Sequence, residues 1–126
     1  AATTADQLRR RSWWAGPHVY LIVDDYDLVT AASPDAMAGL QRLLPHATDI
    51  GLHVVLARRC AGTARAMFDP MLAQLRDSGC MGLLMHGSPE EGALVGNHRA
   101  AAHRAGRGLL VTRDGAQRVQ VGWCPP

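Results

Sequence analysis

Five apolar residues in a row, Val19-Tyr20-Leu21-Ile22-Val23, run directly into Asp24-Asp25, and no other stretch of the chain restricts its fold as much. An unbroken apolar run fits a central parallel strand, covered on both faces, better than an alternating edge strand. Open α/β sheets bind ligands beyond the carboxyl ends of their strands, which is where both carboxylates fall. In phosphoryl-transfer chemistry, Asp24 so placed would hold Mg, usually through water, and Asp25 would polarise the attacking water. The same pattern also ends ordinary buried strands, so it marks a candidate site only.

A P-loop nucleotide site further needs G-x-x-x-x-G-K-[ST], whose backbone amides cradle phosphate and whose lysine neutralises it. The chain has no lysine; all 13 of its basic residues are arginine. Either the phosphate-binding half lies outside this sequence or the site is degenerate. Taken alone, the chain is expected not to hydrolyse ATP. Its opening, Ala1-Ala2-Thr3-Thr4-Ala5, lacks methionine and leads into charged residues, which fits a fragment or a processed chain without a signal peptide.

The length, 126 residues, suffices for one domain or part of a larger one. A formal net charge of +2 is too small to argue for nucleic acid or an anionic membrane surface. No apolar stretch approaches the ~20 residues that span a bilayer, so direct membrane insertion is not expected. Cys60, Cys80 and Cys124 are odd in number and form no C-x-x-C pair. That argues against a zinc site or a disulfide framework and suits a reducing cytoplasm. Cys60 and Cys80 read as small core residues. The histidines show no metal-ligand spacing, and His98 and His103 read as solvated residues of a polar loop.

Gln7 to Trp14 is expected to form a short helix that breaks at Ala15-Gly16-Pro17. Ser33-Pro34-Asp35 reads as a helix start, followed by Met37, Leu40, Leu43 and Leu44 on one buried face. Residues 51–57 form a second buried parallel strand, which Arg58 and Arg59 follow at the edge that carries Asp24 and Asp25. There the arginines can sense phosphate charge or pair with the aspartates. A third helix covers residues 64–77, with Met67, Met71, Leu72 and Leu75 inward, Gly79 as its stop, and a kink or a later start forced by Pro70. Residues 81–85 form a third strand. Ser88-Pro89-Glu90-Glu91 caps a further short helix that packs Ala93, Leu94 and Val95, and residues 97–108 read as a polar loop. Asp114-Gly115 between Leu109–Thr112 and Arg118–Val121 signals a hairpin. The whole reads as an α/β sheet closed by an antiparallel pair.

The stretches SWWAGPHVYLIVDDYDLV (12–29), LLPHATDIGLHVVLARR (43–59), FDPMLAQLRDSGCMGLLMHGSPEEGALVG (68–96) and GRGLLVTRDGAQRVQVGWCPP (106–126) carry a resemblance. In colinear order they resemble the second half of an FtsK/SpoIIIE-type ATPase domain. More closely, they resemble the C-terminal, third such domain of EccC-type motors of type VII (ESX) secretion. The resemblance implies a RecA/FtsK-like P-loop NTPase fold, with residues 1–126 spanning the Walker B strand to the C-terminus of one partial domain. It also implies a cytoplasmic string of ATPase domains tethered to the inner membrane, exporting helical-hairpin effectors of the WXG type. In that family the first ATPase domain is the main engine, and the last is linked to recognition of a substrate's C-terminal signal.

Two departures from the active pattern follow from the resemblance. Asp25 stands where active relatives carry glutamate, and Arg58-Arg59 stands where they carry Thr-Gln. Both put hydrolysis in doubt, while Asp24 keeps the metal side, so ATP and Mg are expected only together with the missing P-loop segment. The favoured reading is a degenerate ATPase domain that recognises WXG-type effectors and regulates neighbouring ATPase domains of the same motor. An effector tail would lay an apolar helical face into a groove. Trp13, Trp14, Met67 and Met71 are chemically suited to that groove, although core packing explains each of them better. An active subdomain completed by a P-loop half elsewhere is the alternative. A DNA translocase module is a second alternative, which the near-neutral charge disfavours. An exposed edge on the Asp24 strand would favour self-association or pairing with the missing segment.

Overall fold

Two apolar runs pair in parallel. In the computed structural model, which describes residues 4–10, 16–62 and 68–125, β1 (Val19–Val23) lies beside β2 (Leu52–Leu56) with Val19 opposite Leu52 and Val23 opposite Leu56. The readings of Trp13, Trp14 and Met67 as core or groove residues fall outside the described residues. The chain divides into two units, Ala1–Arg58 and Arg59–Pro126.

In the first unit, α1 (Ala5–Arg10) precedes β1, and Asp6 pairs with Arg10 one turn on at 3.1 Å. Past Val23 the chain turns at once into α2 (Tyr26–Ala32). The helix predicted from Ser33 is therefore not the one that forms. Ser33 is extended (φ −149°, ψ 102°), as a residue before proline prefers, and it ends α2. The predicted apolar face of Met37, Leu40, Leu43 and Leu44 is split between a single turn, α3 (Ala38–Gln41), and a 3-10 turn (Leu44–His46) built around Pro45. Tyr26 is the largest fully buried side chain among the described residues, at 2% exposure.

The expectation that β1 is covered on both faces is not met within this chain. Leu21 and Val23 are half-buried, whereas Tyr20 is 65% and Ile22 72% exposed, and Val55 beside Ile22 is 51% exposed. Strand side chains alternate between faces, so Tyr20, Ile22 and Val55 share one open apolar face.

The second unit is a three-stranded antiparallel sheet in the order β3-β6-β7, formed by β3 (Gly82–Leu84), β6 (Arg107–Thr112) and β7 (Gly115–Gln120), beside a two-stranded ribbon of β4 (Ala93–Val95) and β5 (His98–Arg99). The third strand is thus antiparallel to its neighbour and not part of the parallel pair. Ala93–Val95 is a strand where a helix face was expected, and the supposed loop of residues 97–108 contains β5 and the start of β6. The acidic run makes only a 3-10 turn (Pro89–Glu91), capped by the Ser88 hydroxyl, which accepts from the Glu90 amide at 3.2 Å. A positive φ at Gly92 (84°) ends that turn before it can grow into a helix.

The hairpin forms where it was predicted, with Thr112 opposite Gly115. Helix α4 (Pro70–Asp77) begins at the later of the two predicted starts. The Asp69 carboxylate caps it, accepting from the Met71 amide at 2.9 Å and the Leu72 amide at 3.1 Å, and Pro70 fills the first turn, where no amide is needed. Gly79, at φ 67°, is the residue that leaves the helix. Leu84, Ala100, Val111 and Met71 are buried in this unit. Cys80, read as a core residue, is exposed, and Cys60 is half-buried; neither forms a disulfide.

Two stability outcomes follow. Asp69→Ala should cost about 1 kcal/mol by removing the α4 cap, measured by urea denaturation. Ile22→Ser should cost less than about 0.5 kcal/mol in this chain, as for an exposed position, measured the same way.

Candidate functional site

The parallel register sets the site. Beyond the last paired residues, Val23 and Leu56, the Ala57 amide donates to the Val23 carbonyl at 2.8 Å, and the Tyr26 amide donates to the Ala57 carbonyl at 2.9 Å. These two bonds hold Asp24-Asp25 and Ala57-Arg58 at the same, carboxyl end of the strand pair. Arg59 begins the second unit. The structure therefore joins Asp24, Asp25 and Arg58 at one edge, as the sequence implied.

Asp25 is the one residue other than glycine with positive φ among the described residues (φ 48°, ψ 47°). Aspartate tolerates this left-handed conformation better than most residues, but it still costs about 1–2 kcal/mol. The turn is held locally. The Asp24 carboxylate accepts from the Asp25 amide at 2.9 Å, and the Asp25 carbonyl accepts from Leu28 at 2.8 Å and from Val29 at 3.3 Å. Both carboxylates face solvent, and the Asp25 side chain makes no capping bond to α2. The strand thus delivers two solvated acids on a tight strand-to-helix turn, followed by an arginine on the adjoining strand. Sequence reading found these residues but missed the turn that aims them, because nothing in Asp-Asp-Tyr announces a left-handed residue.

Among the described residues no three His, Cys, Asp or Glu side chains gather to hold a metal ion. Asp24 supplies one carboxylate, and the sequence supplies no lysine for phosphate. The residues present do not suffice for Mg·ATP. At the opposite end of the pair, His18 Nδ1 lies 2.8 Å from His53 Nε2, so one imidazole donates to the other. Tyr20 stacks on His53 with ring centres 4.4 Å apart. None of these contacts was anticipated from histidine spacing, because it is strand register that brings residues 18 and 53 together.

Asp25→Gly removes the left-handed strain and should raise stability by up to about 1 kcal/mol, whereas Asp25→Val should lower it by more than that. Thermal melts of the two variants against the parent measure both effects.

No protein-family profile matches the chain. Individual relatives do. It is 57% identical over 121 residues to the ESX-4 secretion system protein EccC4 of Mycobacterium tuberculosis, a match covering 95% of this chain and 10% of that protein. It is 41% identical over 121 residues to the ESX secretion system protein EccC of Thermomonospora curvata, covering 95% of this chain and 9% of that protein. Among solved structures, ATPases 2 and 3 of Thermomonospora curvata EccC, in complex with a signal sequence peptide, superpose with a TM-score of 0.89 at 38% identity, over 99% of this chain and 22% of that one. The cytoplasmic domain of the same type VII secretion ATPase gives a TM-score of 0.88 at 39% identity, over 98% of this chain and 14% of that one. The chain thus spans about a tenth of the length of these curated relatives. The 126 residues are homologous to a segment of the cytoplasmic ATPase region of EccC proteins of type VII (ESX) secretion systems.

Proposed function

We propose that this chain is the Walker B-to-C-terminus part of the third, C-terminal ATPase domain of an EccC-type secretion motor, and that it serves recognition and regulation instead of turnover. The observation that carries this reading is the site itself. A metal-side carboxylate, Asp24, stands at the strand end, while the neighbouring acid is aspartate and the adjoining strand ends in Arg58. Aspartate is one methylene shorter than glutamate, so from the same backbone position it falls short of a water that glutamate would orient. Arg58 places a fixed cation at the same edge, suited to holding phosphate or to pairing with a carboxylate.

The RecA/FtsK-like sheet belongs to this proposal, because β1 and β2 would be its central strands. The open face of Tyr20, Ile22 and Val55 is what such strands present when the segment covering them lies elsewhere in a longer protein. In that setting the P-loop would come from the preceding segment, and ATP and Mg would bind there with Asp24. The likeness to EccC ATPases 2 and 3 holding a signal sequence peptide supports a partner of the same kind here, the C-terminal tail of a WXG-type effector. Such a tail gains affinity by burying a few apolar side chains at roughly 25 cal/mol per Å², before the cost of association. The setting would be the cytoplasmic side of a membrane-anchored complex, and no described helix is itself long and apolar enough to cross a membrane.

The test is ATP hydrolysis by the longer protein with the upstream segment restored and the other ATPase domains inactivated. Asp24→Ala should leave the rate within about twofold of the parent. A fall of tenfold or more, the ordinary contribution of a working catalytic group being ~10²-fold or greater, would establish a functioning hydrolytic site.

A further inference from the structure

In the second unit, the loop leading into the terminal hairpin and the hairpin itself enclose an open cleft of about 510 Å³. Its lining includes Ala101, His103, Arg104, Arg107, Arg118 and Gln120, and no carboxylate. From this geometry we propose that the cleft binds a polyphosphate group, at a site that uses none of Asp24, Asp25, Arg58 or Arg59.

The local sequence builds the cleft. Arg104 to Arg107 is a β-turn in which the Arg107 amide donates to the Arg104 carbonyl at 3.0 Å, with Gly106 at φ 75° in the third position, where a type II turn needs positive φ. The turn places Arg104 and the first residue of β6, Arg107, on the lining of the same cleft. Across the hairpin Arg107 faces Gln120 and Leu109 faces Arg118. Residues 107, 109, 118 and 120 therefore share one face, with the two arginines diagonal to each other at a typical spacing of roughly 7–8 Å between backbones. The Arg107 Nε donates to the Gln120 side-chain oxygen at 3.2 Å, which leaves the rest of its guanidinium fork available. The loop is tied down at its far side: the Gly87 amide donates to the Ala101 carbonyl at 3.0 Å, and the His103 amide donates to His86 Nδ1 at 3.2 Å.

Three exposed arginines thus line one cleft, and none of their guanidinium groups has an ion-pair partner among the described residues. Like charges held together destabilise a hairpin, so a ligand that neutralises them stabilises the fold. Charge density selects the ligand class. A single carboxylate leaves most of the cleft's charge unmatched, and acidic residues of a peptide are set apart by at least the 3.8 Å between successive Cα atoms. Adjacent phosphoryl groups share a bridging oxygen, so they concentrate several charges in one short group, and arginine binds phosphate bidentately. A cleft of this size falls within the 300–1,000 Å³ typical of small-ligand sites.

Isothermal titration of this chain with inorganic tripolyphosphate, ATP and citrate at matched ionic strength tests the proposal. Tripolyphosphate or ATP should bind at least tenfold more tightly than citrate, and which of the two is tighter tells whether inorganic polyphosphate or a nucleotide is the natural form. The double substitution Arg107→Gln/Arg118→Gln should weaken that binding at least tenfold while leaving the unliganded melting temperature unchanged or raised. Arg107→Lys/Arg118→Lys should lie between, since it keeps charge and loses the fork. Arg104→Gln, placed in the loop outside the sheet, provides an independent variant and should weaken binding at least threefold. Equal affinity for citrate, no saturable binding, or binding that survives these substitutions would overturn the proposal.

Discussion

The first unit depends on one interaction, the clamp at the end of the parallel strand pair. Ala57 gives its amide to Val23 and takes the amide of Tyr26, so a single residue just past the second strand fixes where the first strand stops and where the helix after it starts. Parallel strands are staggered by their hydrogen bonds and cannot slip by one residue without turning every side chain to the other face. Once the register is set, Tyr26 is driven into the interior, Asp24 and Asp25 are left at the rim, and Asp25 must adopt a left-handed turn to connect strand to helix. The position of the acids is thus a consequence of strand pairing, and the modest strain at Asp25 is its cost.

Much of this was legible in the sequence because the signals were local and chemical. An apolar run ending in acids, a second run ending in arginines, Asp69-Pro70 at a helix start and Asp114-Gly115 between two strands each specify their structure within a few residues. What failed were inferences that needed tertiary context. The 3,4-spaced residues Met37, Leu40, Leu43 and Leu44 carry a helical pattern, but Pro34 and Pro45 confine it to single turns. Ala93–Val95 and His98–Arg99 are too short for periodicity to distinguish strand from helix or loop, and only their pairing defines them. The burial of β1 could not be read at all, because an apolar residue in the sequence does not say which part of a longer protein will cover it.

The two units divide the chemistry. Acids and one arginine stand at the end of the parallel pair, whereas the cleft at the terminal hairpin is lined by arginines and by no carboxylate. A near-neutral net charge of +2 conceals this segregation, which is why composition argued against anionic partners while the hairpin cleft argues for one. The stretch of residues 97–108, read from the sequence as a polar loop, gains its meaning only when the hairpin places Arg107 and Arg118 on the same face.

The central claim is that the Asp24 site belongs to a recognition domain instead of an engine. It is tested most directly by titrating a fluorescent C-terminal signal peptide of a WXG-type effector into the longer protein, with and without Mg·ATP. Saturable binding whose Kd changes by less than about threefold on adding nucleotide is the expected result. Failure to bind, or a tenfold shift in Kd, about 1.4 kcal/mol of coupling between the peptide and nucleotide sites, would contradict the account.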